Sequence, residues 1–311
     1  MERGILGPPN VEGAMQQVRH LNRIISWTPQ GIEWESDPRH ADIVVKTLGV
    51  TKPVNSPLLK EKLSDLKDSA EDDPEPLPED DVKMYQSLTM RLGYVSQDRP
   101  DLQRAVRELA KGMCRPNERF MTMLKRAARY LIHAPRCVQV IPFQRRITKI
   151  TTFCDTDHAG CIRTRKSTTG AVVTIGDATL RSVCRGQSVI ALSSGESEFY
   201  GLVTAVSESL GDQSVAFDLG VRLNLDIQMD ATAGAAIGSR RGLGRVKHID
   251  TCFLWVQDLI TNGKVKVHKV HTTENFSDIL TKPVSGHTLR ALVERMGYSF
   301  RKGRSKLALA A

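Results

Sequence analysis

Acidic side chains lie at the ends of several elements that the sequence predicts. In chain order they are Asp155 and Asp157 at the end of a first strand, Glu196 and Glu198 at the start of a long helix, Asp230 at the end of a fourth strand, and Asp278 in a short helix. Neighbouring carboxylates raise one another's pKa unless a cation neutralises them, and a hard divalent ion such as Mg²⁺ suits such a cluster. Two such ions about 4 Å apart activate water and stabilise the leaving oxygen of a phosphodiester. The pattern therefore predicts metal-dependent phosphodiester chemistry if these acids meet.

Each of these acids also has a structural explanation. Glu196 follows Ser193 by three residues, the spacing of a capping box, so we expect it to stabilise the helix start. Glu198 lies on another side of the same helix, at the edge of its apolar face, with no cation on the helix to pair with. The other three have simple alternatives: Asp278 could favour the helix dipole, Asp230 could close a turn and Asp157 could lie in a solvated loop. Spacing alone leaves both interpretations open.

Alternation and turn residues predict the elements that position these acids. Strands over 151–155, 171–175 and 179–184 are followed by a helix over 194–210, a strand over 225–230, a helix over 249–262, a strand over 264–270 and a short helix over 275–282. This order indicates an α/β fold with a mixed five-stranded sheet flanked by helices. In such a sheet the first and fourth strands can lie side by side, which would bring several of the acids together.

The start of the chain predicts a fragment of a larger structure. Residues 23–36 alternate as a hairpin with a turn at 29–31, and residues 38–48 predict a helix that ends at Gly49. About fifty residues are too few for a stable domain, so we expect this region to belong to something larger.

Charge is distributed unevenly over the next part of the chain. Residues 68–82 carry eight acids, no bases and three prolines, which predicts an extended linker. Residues 83–146 carry fourteen bases and four acids, and their apolar spacing predicts helices over 102–113 and 120–131. The basic excess favours contact with phosphates, and a solvated helix face is the simpler alternative.

The composition argues against several classes of protein. The 311 residues include 44 Lys plus Arg and 35 Asp plus Glu, a formal charge of +9 that mildly favours a polyanionic partner. No run approaches the roughly 18 apolar residues that cross a bilayer, and the N-terminus lacks the apolar run of a signal peptide. The six cysteines include no Cys-x-x-Cys pair, so neither a zinc knuckle nor a disulfide framework is indicated. We expect an intracellular protein, cytoplasmic or nuclear, with no membrane partner.

Several motifs follow one another in an order typical of one family. Residues 85–94, 99–102 and 125–131 resemble the segment that follows the polymerase core in copia-type LTR retrotransposon Pol proteins. The runs 154–160, 164–170, 191–200, 247–250 and 277–283 resemble successive motifs of the RNase H domain of that family. A weaker similarity over 21–58 resembles the end of the reverse transcriptase palm, including its primer-gripping hairpin.

The resemblance implies a division of the chain into five parts. These are a remnant of the reverse transcriptase palm over 1–58, an acidic Pro-rich linker over 59–82, a basic helical connection over 83–148, an RNase H-like domain over 149–283 and a C-terminal tail over 284–311. The Tyr-x-Asp-Asp motif of reverse transcriptase is missing from the sequence, so we expect no polymerase activity. An upstream reverse transcriptase core of the same polyprotein is the implied partner.

The resemblance also implies a site and a substrate. The family's RNase H uses four carboxylates and two Mg²⁺ ions, with Mn²⁺ as an alternative ion, to cut the RNA strand of RNA–DNA hybrids. By motif these carboxylates are Asp155, Glu198, Asp230 and Asp278. Basic residues expected to contact the hybrid are Arg126, Arg129, Arg165, Lys166, Arg240, Arg241, Arg245 and Lys247. His271, in the loop before Asp278, could assist product release or be a solvated loop histidine.

Two departures from the family's pattern support an alternative. His158 stands where an aromatic residue usually follows Asp157, and Ala231-Thr232-Ala233 replaces a polar run after Asp230. These changes affect substrate positioning more than metal binding. The sequence therefore predicts a Mg²⁺-dependent endonuclease acting on RNA–DNA hybrids. The alternative is a decayed, inactive fragment that retains only nucleic-acid binding.

Overall fold

A computed structural model of the chain describes residues 5–59, 75–161, 163–244, 249 and 251–309. Within these residues the strands are β1 (Ile5–Leu6), β2 (Ala14–Met15), β3 (Gln17–His20), β4 (Arg23–Trp27), β5 (Gly31–Glu35), β6 (Arg136–Pro142), β7 (Lys149–Asp157), β8 (Thr168–Ile175), β9 (Ala178–Gly186), β10 (Asn224–Met229), β11 (Val265–Lys269) and β12 (Tyr298–Arg301). The α-helices are α1 (Pro38–Thr47), α2 (Glu79–Ser96), α3 (Pro100–Ala110), α4 (Glu118–His133), α5 (Ser194–Asp218), α6 (Thr232–Gly238), α7 (Trp255–Thr261), α8 (Asp278–Thr281) and α9 (Gly286–Arg295). The chain divides into two compact units, residues 1–143 with 283–311 and residues 144–282.

The second unit, residues 144–282, is built on a five-stranded mixed sheet of order β11-β10-β7-β8-β9. Strands β7, β8 and β9 pair antiparallel, whereas β10 lies parallel to β7 and β11 lies parallel to β10. The predicted fold class, an α/β fold with a five-stranded mixed sheet, is confirmed. The first and fourth strands of this unit are neighbours, as the sequence suggested.

Helix α5 supplies much of the core of the second unit. Ser193 caps it, since its side chain accepts a hydrogen bond from the Glu196 N–H. The side chains of Phe199, Leu202 and Val206 are fully buried, at a spacing that keeps them on one helix face against the sheet. The helix continues to Asp218, beyond the predicted end at residue 210. This helix carries Glu196 and Glu198, and strand β7 carries Asp155 and Asp157.

The first unit contains an antiparallel sheet of order β12-β6-β5-β4-β3. The predicted hairpin is present as β4 and β5, and the predicted helix over 38–48 is present as α1. Asp37 caps that helix through the backbone N–H of Arg39, and Gly49 follows its end with a φ of +59°. The predicted helices over 102–113 and 120–131 correspond to α3 and α4.

The C-terminal residues are not the tail that the sequence predicted. Helix α9 and strand β12 lie within 284–311, and β12 pairs antiparallel with β6, with Tyr298 opposite Gln139. Strand β6 also shows that the predicted helical connection over 83–148 is not helical throughout. The physical reason is that β6 joins β12 to the hairpin, so these segments complete one sheet.

The predicted acidic linker lies largely outside the described residues, which omit 60–74. In the part that is described, helix α2 already begins at Glu79, and Leu77 is buried. No helix among the described residues is both long and apolar enough to cross a membrane.

Candidate metal centre

Two aspartates of neighbouring parallel strands lie at the same end of the sheet, Asp155 near the end of β7 and Asp230 just after β10. Cys154 of β7 lies opposite Met229 of β10, so the next residues along each strand are Asp155 and Asp230. Asp278, at the start of α8, completes a cluster in which ligand oxygens of all three aspartates lie within 4.8 Å of one another. The structure therefore brings together three of the four carboxylates that the sequence singled out.

The two glutamates at the start of α5 have different environments. Glu196 is buried, and its two carboxylate oxygens accept hydrogen bonds from the backbone N–H of Leu192 (2.8 Å) and the hydroxyl of Tyr200 (2.8 Å). Glu196 is thus occupied in holding the helix start, close to the expected capping role. The Oε2 atom of Glu198, in contrast, is buried and accepts no hydrogen bond from the described residues. Glu198 is therefore the glutamate left with unused ligand capacity.

The Glu198 side chain shares the electrostatic environment of the aspartates. Burial raises its pKa to about 8, and the charges of Asp155 and Asp230 add to that rise. A hydrogen bond from Thr156 and the charge of Lys282 act in the opposite direction. The fourth predicted carboxylate thus feels two of the other three, although it stands outside the compact group of aspartates.

Asp155 is the most deeply buried acid of the cluster, with 2% of its surface exposed. Burial raises its pKa to about 7, and the charges of Asp278 and Asp230 contribute to the rise. The hydroxyl of Thr281 donates a hydrogen bond to its Oδ2 atom, and the Lys282 ammonium lies 3.5 Å from the same oxygen. Both groups stabilise the carboxylate form, so they oppose part of the effect of burial.

Asn275 connects the segments that carry Asp155 and Asp278. Its side-chain amide donates to the carbonyl of Cys154 (3.0 Å), and its Oδ1 atom accepts from the N–H (3.3 Å) and hydroxyl (2.5 Å) of Ser277. Asn275 and Ser277 are both fully buried. Because Cys154 precedes Asp155 and Ser277 precedes Asp278, this one side chain fixes the distance between two acids. Sequence reasoning did not identify it, and its only signal was an asparagine three residues before a candidate acid.

The remaining acids are held by their own neighbours. The hydroxyl of Thr272 donates to Oδ2 of Asp230 at 3.0 Å. Asp278 has a raised pKa because of burial, and its Oδ1 atom lies 3.0 Å from the Lys282 ammonium. His271, next to Thr272, is exposed, and its Nδ1 atom accepts from the backbone N–H of Thr273 at the start of a short 3₁₀ helix. His271 therefore has a local capping role, while an auxiliary role stays a prediction.

The predicted substrate-binding bases lie in both units, and most of them are among the described residues. Arg165 and Arg241 are exposed, whereas Arg240 donates to the carbonyl of Leu243. In the first unit, Arg126 donates to the Ser56 hydroxyl (3.0 Å) and Arg129 to the Lys52 carbonyl (2.7 Å). Lys166 lies in the turn after β7, and Arg245 and Lys247 are outside the described residues. Contact between any of these bases and a substrate remains a prediction.

The donor set of the cluster fits a hard divalent cation. The ligand atoms of the three clustered aspartates are carboxylate oxygens, and Oε2 of Glu198, outside that group, is buried without a hydrogen-bond donor among the described residues. Buried carboxylates with raised pKa values lose the repulsion between them when a cation enters. Oxygen ligands of this kind are those that Mg²⁺ and Mn²⁺ prefer.

Comparison with solved structures supports the fold. A foamy viral protease–reverse transcriptase in complex with dsDNA matches with a TM-score of 0.50 at 10% sequence identity. The match covers 83% of this chain and 46% of that protein. At this level of identity the likeness concerns the fold alone.

Comparison with curated proteins gives the relatives of the chain, although no protein-family model matches it. The chain is 26% identical over 274 residues to the retrovirus-related Pol polyprotein from transposon RE1 of Arabidopsis thaliana. It is 24% identical over 295 residues to the one from transposon TNT 1-94 of Nicotiana tabacum. These alignments cover 86% and 92% of this chain but 18% and 22% of the relatives, so the chain spans about a fifth of their length. The homologues of this chain are thus retrovirus-related Pol polyproteins of copia-type transposons, as its motifs predicted.

Proposed function

We propose that residues 144–282 form a Mg²⁺-dependent endonuclease that hydrolyses the RNA strand of RNA–DNA hybrids. The observation that carries this proposal is the meeting of Asp155, Asp230 and Asp278, whose ligand oxygens lie within 4.8 Å of one another. The mixed sheet supports it because the pairing of β7 with β10 places two of these acids at the ends of adjacent parallel strands. The relatives support it because they are Pol polyproteins of retrotransposons.

Asp155, Glu198, Asp230 and Asp278 are the residues that would hold the metal. When bound there, two Mg²⁺ ions would supply an activated water and would stabilise the leaving oxygen of the phosphodiester. The chain's own contribution is to hold the carboxylates in position. Thr281 does this for Asp155 and Thr272 for Asp230, each through a hydroxyl that donates to the carboxylate.

The substrate is proposed from the chemistry around the cluster. A hybrid duplex is polyanionic, so Arg165, Lys166, Arg240 and Arg241 are the predicted bases among the described residues of this unit that would contact its phosphates. The 2′-hydroxyl is the group that distinguishes the RNA strand from the DNA strand. His271 is the auxiliary candidate for product release, since it lies in the loop whose Thr272 holds Asp230.

The chain is proposed to work within a longer polyprotein. The relatives are several times longer than this chain, and an upstream reverse transcriptase core is the expected partner. The first unit would then contribute a basic connection to that core, with no polymerase activity of its own.

A second candidate, an inactive fragment that only binds nucleic acid, is favoured by one observation. Ala231, the N-cap residue of α6, makes no side-chain capping bond, and it stands where the family has a polar residue after the catalytic acid. A chain that had lost substrate positioning in this way would still carry its basic surface.

The deciding experiment is cleavage of an end-labelled RNA–DNA hybrid by the full chain in MgCl₂. We expect the parent to cleave the hybrid, and Asp155→Asn and Glu198→Gln to lose more than about 100-fold in cleavage rate. Mutating a residue that only orients a metal ligand already costs about 10- to 100-fold, and these variants remove a ligand itself. Asp226→Asn is the matched control, since Asp226 lies on β10 but pairs with Lys149 rather than with the cluster. We expect it to cleave like the parent.

Each possible result separates the two candidates. Cleavage that persists in both Asp155→Asn and Glu198→Gln contradicts the site assignment. A folded parent that binds the hybrid in a salt-dependent manner but does not cut it favours the inactive fragment.

A further inference from the structure

Lys282 is the cation that the acidic cluster already contains. Its ammonium lies 3.0 Å from Oδ1 of Asp278 and 3.5 Å from Oδ2 of Asp155. The lysine follows the last residue of α8, four positions after Asp278, so the end of that short helix delivers its side chain back to the acids. Two of the three clustered aspartates thus share one ammonium group.

The charge of Lys282 is well suited to this position. Burial alone would lower the pKa of its ammonium, but the charges of Asp155, Asp278 and Asp230 outweigh burial and raise it. An ammonium is a compact point charge with three donors, and it can replace a metal ion electrostatically without providing a Lewis acid. In the metal-free protein it offsets part of the repulsion between the carboxylates.

The lysine can leave this position without dismantling the cluster. Its side chain is 42% exposed, and its flexible stem has a path to solvent. Asp155 would keep the hydrogen bond from Thr281, and the backbone around Asp278 would keep the bonds made by Asn275. The Asp155 carboxylate and the backbone that carries Asp278 are therefore positioned independently of the lysine.

We propose that Lys282 is a tethered counterion that competes with divalent metal for Asp155 and Asp278, and that metal binding displaces its ammonium from both. This inference rests on the proposed function, because it assumes that the cluster is a metal site. It gives Lys282 two opposite effects: it stabilises the protein without metal and weakens the binding of metal. A lysine with a purely structural role would not produce effects of opposite sign.

The test measures both effects on the full chain with Lys282→Met, which keeps an unbranched apolar stem and removes the charge. In EDTA at pH 8 we expect the melting temperature to fall by a few degrees, because the carboxylates lose their only counterion among the described residues. In a calorimetric titration with MgCl₂ we expect the affinity to rise about fivefold, the order of size that loss of one partly exposed ion pair would produce. Neither measurement depends on cleavage.

Two further variants serve as controls. Lys282→Arg keeps the charge, so we expect an affinity for Mg²⁺ within about twofold of the parent. Lys266→Met removes an exposed lysine of β11 in the same unit, and we expect neither the melting temperature nor the affinity to change.

The outcomes distinguish failure of this inference from failure of the proposed function. An affinity for Mg²⁺ that is unchanged or weaker in Lys282→Met, or equally raised in Lys282→Arg, overturns the role of Lys282 while leaving the metal site intact. A protein that binds no Mg²⁺ in either parent or Lys282→Met overturns the metal site itself, and the inference falls with it. Mg²⁺ binding that is measurable in Lys282→Met but not in the parent also supports the proposal, because the lysine would then exclude the metal completely.

Discussion

Each unit of the molecule buries charged side chains, but in opposite ways. In the first unit, Arg99 and Asp101 are almost fully buried and pair through two bonds, Nε to Oδ1 at 3.0 Å and an Nη2 contact to Oδ2 at 2.6 Å. The same guanidinium donates to the carbonyl of Ala134, and the hydroxyl of Tyr130 donates to Asp101. Charges balance within this group.

The second unit buries carboxylates that are not balanced in this way. Asp155, Asp278 and their neighbours share the ammonium of Lys282, and one oxygen of Glu198 is buried without a donor from the described residues. Burying charge without compensation costs stability, so the rest of the unit must hold these groups in place. A buried charge that is fully paired with counterions and hydrogen-bond donors therefore supports the fold, whereas a buried charge that is only partly paired indicates a binding site.

The largest expected effect comes from breaking the balanced group. Arg99→Met leaves Asp101 buried without its counterion, and we expect the free energy of unfolding of the first unit to fall by about 3–5 kcal/mol. Denaturant unfolding followed by tryptophan fluorescence measures this, since Trp27 and Trp34 lie in the same unit. Mg²⁺ affinity, measured under conditions where the variant is folded, should stay unchanged.

The control for this variant is Arg290→Met. Arg290 pairs with Glu294 at 2.9 Å but is 55% exposed, so we expect a change of less than about 1 kcal/mol. If Arg99→Met were as mild as Arg290→Met, burial and pairing would not explain the stability of this unit.

The unbalanced group should make the metal-free protein sensitive to pH. The folded-state pKa of Asp155 is raised from 3.8 to about 7, so the folded state binds more protons than the unfolded state between these values. The contribution of Asp155 to stability is therefore greatest below its unfolded pKa of 3.8 and is lost as pH rises through the folded-state pKa, by about 1.4 kcal/mol for each unit of pKa difference. Glu198, raised from 4.5 to about 8, acts in the same direction.

Hydrogen exchange of β7 and β10 amides in EDTA between pH 5.5 and 8.5, corrected for intrinsic exchange rates, measures this loss. We expect Asp155→Asn to be more stable than the parent at pH 8.5 and to show a weaker pH dependence. Added Mg²⁺ should stabilise the parent more at pH 8.5 than at pH 5.5, since metal binds the charged carboxylates. A parent that gains stability as pH rises in EDTA contradicts this account.

Elements with local signals were predictable from the sequence. The alternation of β7 to β10 and the caps of α1 and α5 depend on neighbouring residues, and these elements are present. Helix α2 was not predicted, although Tyr85, Leu88, Leu92 and Val95 follow a helical spacing of 3, 4 and 3 and form its buried face. Strand β12 was missed because its partner β6 lies far away in sequence, so nothing local marks it.

The site was predictable in its acids but not in the residues that hold them. Asp155 and Asp230 end predicted strands, whose expected pairing brings these two acids together, and Asp278 lies in the first turn of a predicted helix. Asn275 contacts a residue 121 positions earlier, and Thr281 contacts one 126 positions earlier. Such roles depend on register across the folded sheet, which composition and spacing do not contain.

A smaller effect is expected from Asn275, whose side chain connects the segments that carry Asp155 and Asp278. Asn275→Ala removes one donor and one acceptor from a fully buried site, and we expect a loss of stability of about 1–3 kcal/mol. Because Asp155 and Asp278 would no longer share a fixed spacing, Mg²⁺ affinity should fall by about tenfold as well. Asn224→Ala, at the exposed start of β10, is the control and should change neither quantity. Full Mg²⁺ affinity in a destabilised Asn275→Ala would limit Asn275 to a structural role.

Two glycines extend the comparison from charge to packing, and one of them, Gly211, gives the smallest expected effect. A Cβ atom at Gly234 of α6 would lie 2.6 Å from Cβ and 2.9 Å from the backbone carbon of Glu198, so Gly234→Ala must shift Glu198 or α6. We expect a cost of about 1–3 kcal/mol, with weaker Mg²⁺ binding because Glu198 moves. A Cβ atom added at Gly211 of α5 would have no atom within 4 Å other than the nearby backbone of its own helix. Gly211→Ala should therefore stabilise the helix by about 0.5–1 kcal/mol. Thermal unfolding of both variants checks the opposite signs. Equal effects would mean that the close approach of α6 to Glu198 has no part in forming the cluster.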